Sequence, residues 1–190
     1  MTLKSQEALV PARVYVHLAP VGTAAPVDVD TPLVAAYKNC GHTTPDSLAF
    51  NTEPQFQEIP SHQSDYPIRR EKTSDSASVS VDLLQWNADN FVAAYGGGAV
   101  TETSTGSKVY KFTPPAMSGN TEKTAVVEIV DGTKKYRFVY PRVMQIEGVQ
   151  TQFQKGQGSV LPLRLAVLGD DGVDPWYVLT NDPSFKPAAA

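Results

Sequence analysis

SASVSVDLLQWNADNFVAAYGGG, residues 76–98, decides the fold class. Its first half alternates. Ala77, Val79, Val81 and Leu83 fall on one side of an extended chain, and Ser76, Ser78, Ser80 and Asp82 on the other. Period 2 is the pattern of a strand with one buried and one wet face. The period then changes. Asn87 can accept from the orphan amides of a first helical turn. Phe91, Val92 and Tyr95 supply an apolar stripe at helical spacing, and Gly96 suits the left-handed position after a helix. The spacing predicts one short helix, about 87–95.

Upstream, residues 47–59 read as a strand interrupted by Pro54, which costs a ladder hydrogen bond, so the strand is an edge, is bent, or is unpaired there. Residues 54–73, PQFQEIPSHQSDYPIRREKT, read as the extended tip of a long hairpin whose return arm is 76–84. Phe56, Ile59 and Tyr66 stand singly there among Arg69, Arg70, Glu71 and Lys72, with little core of their own. A long connection of this kind is usually functional, and these seven residues are expected to form an interface that orders on assembly. Residues 13–19 alternate and stop at Pro20, and a turn-rich stretch follows to residue 32. Residues 33–37 fit a helical turn or an extended piece.

Downstream, strands are expected at 108–113, 124–130, 134–143 and 159–168. Asp131-Gly132 marks a tight hairpin between the second and third of these. The turn at 169–172 leads to a last hairpin arm at 176–179. Residues 1–10 read as a polar N-terminal arm and 181–190 as a loosely held tail. No repeat or second domain is evident, so residues 1–190 are read as one domain. The fold expected is mainly β, a sandwich or barrel with one short flanking α-helix and a long extended hairpin loop.

Composition limits function. Hydrophobic residues make up 41% of the 190, enough for a core, and 15 prolines with 13 glycines favour many short segments. Net charge is −4 with no basic stripe, unlike proteins that grip nucleic-acid phosphates. Cys40 is the only cysteine, which rules out an intrachain disulfide, and it reads as a small packed apolar group. Neither an apolar signal core nor a membrane-length run is present, so the plain expectation is a soluble protein without membrane contact.

No catalytic grammar emerges. Asp28 and Asp30, and Asp170, Asp171 and Asp174, fit solvated turns better than a calcium loop. His17, His42 and His62 do not reach zinc spacing with Cys40. Nucleophile-elbow, phosphate-loop and zinc-protease motifs are missing. Gly96-Gly97-Gly98 follows a helix, and so reads as a cap and flexible exit. Trp86 reads as a core residue. No catalytic, cofactor or metal residue is therefore assigned, and an enzyme is not expected.

The strand-to-helix word at 76–98, with CGHTTPDSLAFNTEP upstream and TKKYRFVYPRVMQIEG and GSVLPLRLAVLGDDG downstream, resembles the major tail tube proteins of long-tailed, siphovirus-like bacteriophages. The resemblance covers roughly residues 10–180. It implies a tail-tube-type sandwich or barrel that assembles with itself into hexameric rings, stacked into the hollow tube through which DNA enters the host. Edge-to-edge joining of inner sheets would leave no free strand edge. It also implies a tape measure protein, a tail terminator and distal tail proteins as partners, assembly in the host cytoplasm and residence in the virion tail. Four inner strands from each of six subunits give a backbone cylinder of ~48 Å and a bore of ~38 Å, wide enough for a duplex of ~20 Å.

Six copies at −4 each carry −24, so an acidic or neutral bore is expected. Ser76, Ser78, Ser80 and Asp82 are the expected lumen-facing residues, joined by the polar face of 134–140 with Lys135 and Arg137. Stacking is expected to use the 54–73 tip and both termini. Other readings share the composition: a tail terminator, a capsid decoration protein, or a carbohydrate-binding β-sandwich using Trp86, Tyr95, Trp176 and Tyr177.

Overall fold

The computed structural model describes residues 5–116, 119–156 and 158–187. In chain order the elements are β1 (Arg13–Pro20), β2 (Lys38–Asn39), β3 (Ala49–Ser61), β4 (Ser64–Leu83), α1 (Ala88–Ala94), β5 (Ala99–Glu102), β6 (Tyr110–Thr113), β7 (Lys123–Asp131), β8 (Lys134–Gln145), β9 (Leu161–Val167) and β10 (Tyr177–Thr180). The protein is mainly β with one short α-helix, as the patterns require.

One antiparallel sheet runs in the order β2-β1-β7-β8-β9-β4-β3, and β5 and β6 form a separate pair. Strand β8 is the pivot. Its first half lies between β7 and β10, with Tyr136 opposite Thr180 and Val139 opposite Tyr177. Its last residues, from Val143 to Gln145, pair with β9 instead. The sheet curls over on itself around this change of partner. Phe50 of β3 reaches Tyr140 of β8 at 5.7 Å between ring centroids and Trp176 at 4.8 Å, although two strands separate β3 from β8 in the sheet order.

The core fills the inside of the curl. Val79, Val81 and Leu83 of β4 meet Leu161, Leu163 and Leu165 of β9, together with Val16, Leu18, Val127 and Val143. This is the alternation read from residues 77–83. Each fully buried Leu or Val contributes roughly 2 kcal/mol. Cys40 lies in this core, and burial pushes its thiol up to about 12, so it acts as a packed group.

A second, smaller core lies on the opposite face of β1, β7 and β8. Val126 and Val139 pack there with Ala19 and Tyr37, against Leu33 and Leu179. The segment 21–37 covers this face. Arg137 is only 4% exposed; it pairs with Glu128 at 2.5 Å and donates to the carbonyls of Asp28 and Thr31. Lys135 pairs with Asp30 of the same segment at 2.7 Å. The chain's own loop therefore occupies the face of 134–140 that was expected to meet a lumen.

Helix α1 begins as read: the Asn87 side chain accepts from the Asn90 amide at 2.8 Å. It ends at Gly96, φ 71°, with the Gly97 amide donating back to the Val92 carbonyl at 2.8 Å. Its buried face differs from the expected stripe. Asn90, Ala93 and Ala94 are buried, while Tyr95 remains 39% exposed. Small residues bring the helix close to β9, and the Asn90 amide donates to the carbonyls of Cys40 and Gln85, both at 2.8 Å.

The glycine run that follows is a tight packing point instead of a flexible exit. At Gly98, φ 92°, a Cβ would stand 2.4 Å from the Thr113 carbonyl oxygen. This close approach lets β5, which sequence patterning misses, pair with β6. The last strand also differs from expectation. β10 makes no hairpin with β9 but pairs with β8, where Val178 lies opposite Phe138.

Candidate assembly surfaces

The most prominent feature is the β3–β4 hairpin. β4 pairs with β9 only from Ser78 to Leu83, whereas its pairing with β3 continues to Ser64. Beyond Ala77 the hairpin is a two-stranded arm, and the 54–73 segment read as an extended tip is a ladder with register shifts between Gln55 and Phe56 and between Ile59 and Ser61, closed at His62 and Gln63. Glu53 and Gln55 direct their carbonyls toward β4, accepting from Ser76 Oγ and Thr73 Oγ1, both at 3.3 Å. Pro54, between them, therefore turns its nitrogen to the outer edge, where no ladder donor is lost. A register shift between Gln55 and Phe56 leaves Thr73 unpaired and adds twist at the root of the arm.

Register sorts the seven expected interface residues onto two faces. Phe56 lies opposite Lys72 and Glu58 opposite Arg70, whereas Gln57 lies opposite Glu71 and Ile59 opposite Arg69. Directly opposed residues share a face, and faces alternate along a strand. Phe56, Arg70 and Lys72 thus share one face, and Ile59, Arg69 and Glu71 lie on the reverse; Tyr66 stands beyond a second register shift, between Ile59 and Ser61, near the end of the arm. Ile68, which the sequence reading did not single out, joins the Phe56 face. Phe56 is 56% exposed, Ile68 64% and Tyr66 81%. Arg70 pairs with Glu58 at 2.5 Å and Lys72 with Asp75. Such exposed pairs stabilise by about 1 kcal/mol or less each.

The second surface is the wall formed by the outer faces of β4 and β9. Ser76, Ser78, Ser80 and Asp82 lie on the side away from the core, with Ala166 opposite Ser78 and Arg164 opposite Ser80. Ser76 is exposed and the other three are half-buried. Arg164 reaches Asp82 at 2.7 Å, and nearby on β8 Arg142 holds Glu122 at 2.7 Å, lowering the Glu122 carboxyl below its ordinary range. Each of these cations has its own carboxylate, so the wall carries hydroxyls and matched charge.

A third surface surrounds α1. Trp86, expected in the core, is 41% exposed, and its indole N–H donates to the Ser159 carbonyl at 2.8 Å. Its ring stands 5.6 Å from Phe153 and 5.5 Å from Phe91. Phe91 in turn stacks on Tyr95 at 5.2 Å and meets Phe112 at 5.2 Å. The result is a continuous aromatic ridge, with Phe153 at one end 76% exposed.

The polar clusters serve the fold. Asp28 accepts from the amides of Asp30 and Thr31 within one turn. Asp182 is buried against Tyr136, with Lys134 at 2.9 Å and the Ser184 amide at 2.9 Å. The Tyr136 hydroxyl, followed by that amide and Lys134, holds the Asp182 carboxyl well below its usual range, and the same bond pushes Tyr136 up to about 12. This pins the chain after β10, the start of the tail expected to be loose.

A curled β domain with three such surfaces, the projecting arm among them, has the form of a structural subunit. A family model described as phage tail tube protein matches residues 1–190, and the chain belongs to that family. No curated protein matches it. Membership makes the protein a structural component of a phage tail, one that assembles with itself into a tube.

Proposed function

We propose that the protein forms hexameric rings that stack into the hollow tube of a siphovirus-like tail, and that phage DNA passes through its bore into the host. Assembly, without enzymatic chemistry, is its role. The observation that carries this reading is the β3–β4 arm: a two-stranded ladder with no third strand among the described residues, exposing Phe56, Tyr66 and Ile68. An isolated hairpin is marginally stable in water, so an arm of this length is built to be covered by another molecule.

The Ser76, Ser78, Ser80 and Asp82 wall is the surface assigned to the bore. Its hydroxyls and the Arg164–Asp82 pair offer no unmatched cation to hold phosphates during transit. The arm residues Phe56, Ile59, Tyr66, Arg69, Arg70, Glu71 and Lys72 are assigned to contacts between subunits. The ends of the tube would meet a tape measure protein, a tail terminator and distal tail proteins, with assembly in the host cytoplasm.

Negative-stain microscopy of the purified protein at high concentration tests the reading. Hollow rings and tubes are expected, and deletion of residues 56–68 should leave a folded subunit that no longer polymerises. Normal tubes from the deleted chain would overturn the role of the arm, and monomers from the intact chain would overturn the tube reading.

A further inference from the structure

Strand β2 has only two residues, yet it covers part of the outer edge of β1. Asn39 lies opposite His17 and Lys38 opposite Leu18, and the Cys40 amide donates to the Val16 carbonyl at 2.9 Å. Opposed side chains share a face, and there Asn39 Nδ2 stands 3.1 Å from His17 Nε2. Asn39 Oδ1 is already taken. It accepts from the Gly41 amide at 2.6 Å, in the turn that Gly41 makes at φ 81°. The side-chain amide is thereby oriented, with Nδ2 as the donor to the ring. His17 Nε2 must accept, so the neutral ring carries its hydrogen on Nδ1.

That Nδ1–H has no hydrogen-bond partner among the described residues, and Glu128 Oε2 is 3.9 Å away. Glu128, on β7, gives its Oε1 to Arg137 of β8 at 2.5 Å. The Lys135–Asp30 pair lines the same cavity of about 380 Å³, beside the phenols of Tyr15, Tyr37 and Tyr136. On β2 itself, Lys38 is held by Asp89 of α1 at 2.9 Å. A proton added at Nε2 turns the acceptor into a donor, and two donors then face each other. Asn39 can answer only by turning Oδ1 to the ring, which takes that oxygen from the Gly41 amide. Either way one of the few hydrogen bonds that hold β2 is lost. Burial disfavours the charged ring, Glu128 favours it and Arg137 opposes it again. The loss therefore sets in below the ordinary histidine pKa of ~6.5.

We propose that His17 and Asn39 form a latch that acid opens: the neutral ring holds β2 on the edge of β1, and its protonation unpairs residues 38–41 and bares that edge. An uncovered edge is a template for another strand. The latch thus keeps this border of the free subunit closed at neutral pH. The Arg137 anchor of the 21–37 segment takes no part in it.

Hydrogen exchange of the full chain at pH ~7.5 and pH ~5, corrected for the intrinsic pH dependence of exchange, tests the latch. The Cys40 and Gly41 amides should exchange about tenfold faster in acid, the scale of one lost hydrogen bond, while the β7–β8 hairpin keeps its protection. His17→Gln should abolish this response. Asn39→Asp offers one oxygen to the Gly41 amide and another to the Nε2–H of a charged ring. Its response should therefore reverse, with residues 38–41 better protected in acid than at neutral pH. Nitrogen NMR of the histidine rings at neutral pH should find the His17 hydrogen on Nδ1. A hydrogen on Nε2, an acid response that survives His17→Gln, or an Asn39→Asp chain that opens in acid as the wild type does would each overturn the latch. So would equal quickening throughout the sheet. None of these outcomes bears on the tube reading, which microscopy decides separately.

Discussion

Arg164 on β9 places its guanidinium 2.7 Å from the carboxylate of Asp82 on β4, and the same side chain donates to the Val81 carbonyl at 3.0 Å. The residue ties two wall strands together and cancels the one carboxylate in the serine row. Arg164→Ala removes the tie and leaves Asp82 unmatched on a half-buried surface. A loss of about 1–2 kcal/mol is expected in urea unfolding. Arg164→Lys should recover only part of it, because an ammonium cannot bridge both acceptors. Wild-type stability in the alanine variant would show that the tie contributes nothing.

Asn90 is the buried polar group of α1. Replacing it with Ala leaves the carbonyls of Cys40 and Gln85 without their shared donor. The expected cost is about 2 kcal/mol or more, seen as a lowered melting temperature. Asn90→Leu should be no better, since the added volume meets closely packed backbone. A neutral effect in both would show that the amide bonds are dispensable.

Gly98 should tolerate no side chain. Its φ is 92°, and a Cβ placed there would lie 2.4 Å from the Thr113 carbonyl oxygen, so β6 would have to shift. Gly98→Ala is expected to cost about 1–3 kcal/mol. Hydrogen exchange should quicken in β5 and β6 first, whereas uniform quickening through the sheet would contradict the local origin.

Asp182 sets the acid response of the chain end. Its pKa is lowered in the folded state, so its contribution is present above the ordinary carboxylate pKa of ~3.9 and is lost as pH falls from there toward the depressed folded value. Asp182→Asn should therefore be less stable than wild type at neutral pH, with the gap narrowing in acid. A gap that is constant with pH would mean the carboxylate charge plays no part.

His17 acts at milder pH. Burial lowers its pKa, opposed by Glu128 and aided by Arg137. Its Nδ1 has no hydrogen-bond partner among the described residues and lies 3.9 Å from Glu128. The neutral ring is the folded form, so stability is full above the ordinary histidine pKa of ~6.5 and declines as pH drops below it. In His17→Gln this decline between pH ~7 and ~5 should flatten, as denaturant titrations at each pH would measure.

Much of this fold is legible in the sequence wherever burial is one-sided. Residues 77–83 must alternate because one face of the strand packs and the other does not, and Asn87 with Gly96 marks both ends of the helix through local hydrogen bonding. The pattern is silent where tertiary choice decides. Nothing near Tyr177 announces that β10 will take a place beside β8 instead of β9, since an amphipathic strand fits either neighbour. Arg137 looks like a surface cation until the turn-rich segment 21–37, which has no periodicity, folds over it and supplies two carbonyls. Trp86 misleads in the other direction: size and hydrophobicity suggest the interior, but its indole N–H is fixed at a rim by the Ser159 carbonyl.

The site residues divide in the same way. The serine row follows from parity alone. The grouping of Phe56 with Arg70 and Lys72 does not, because the register shift at Thr73 offsets β4 by one place from there to Arg69, and spacing in the sequence does not record that step.

The lid that residues 21–37 form over Arg137 has a further consequence. It gives the two walls of the subunit unequal fates: one is finished by the chain itself, and the other is left bare. A closed circle of such units cannot be turned inside out, since the finished wall could face a passage only by peeling away a loop anchored through the Arg137 guanidinium. In the ring proposed above, inside and outside would thus be distinguished within each polypeptide, before any neighbour arrives.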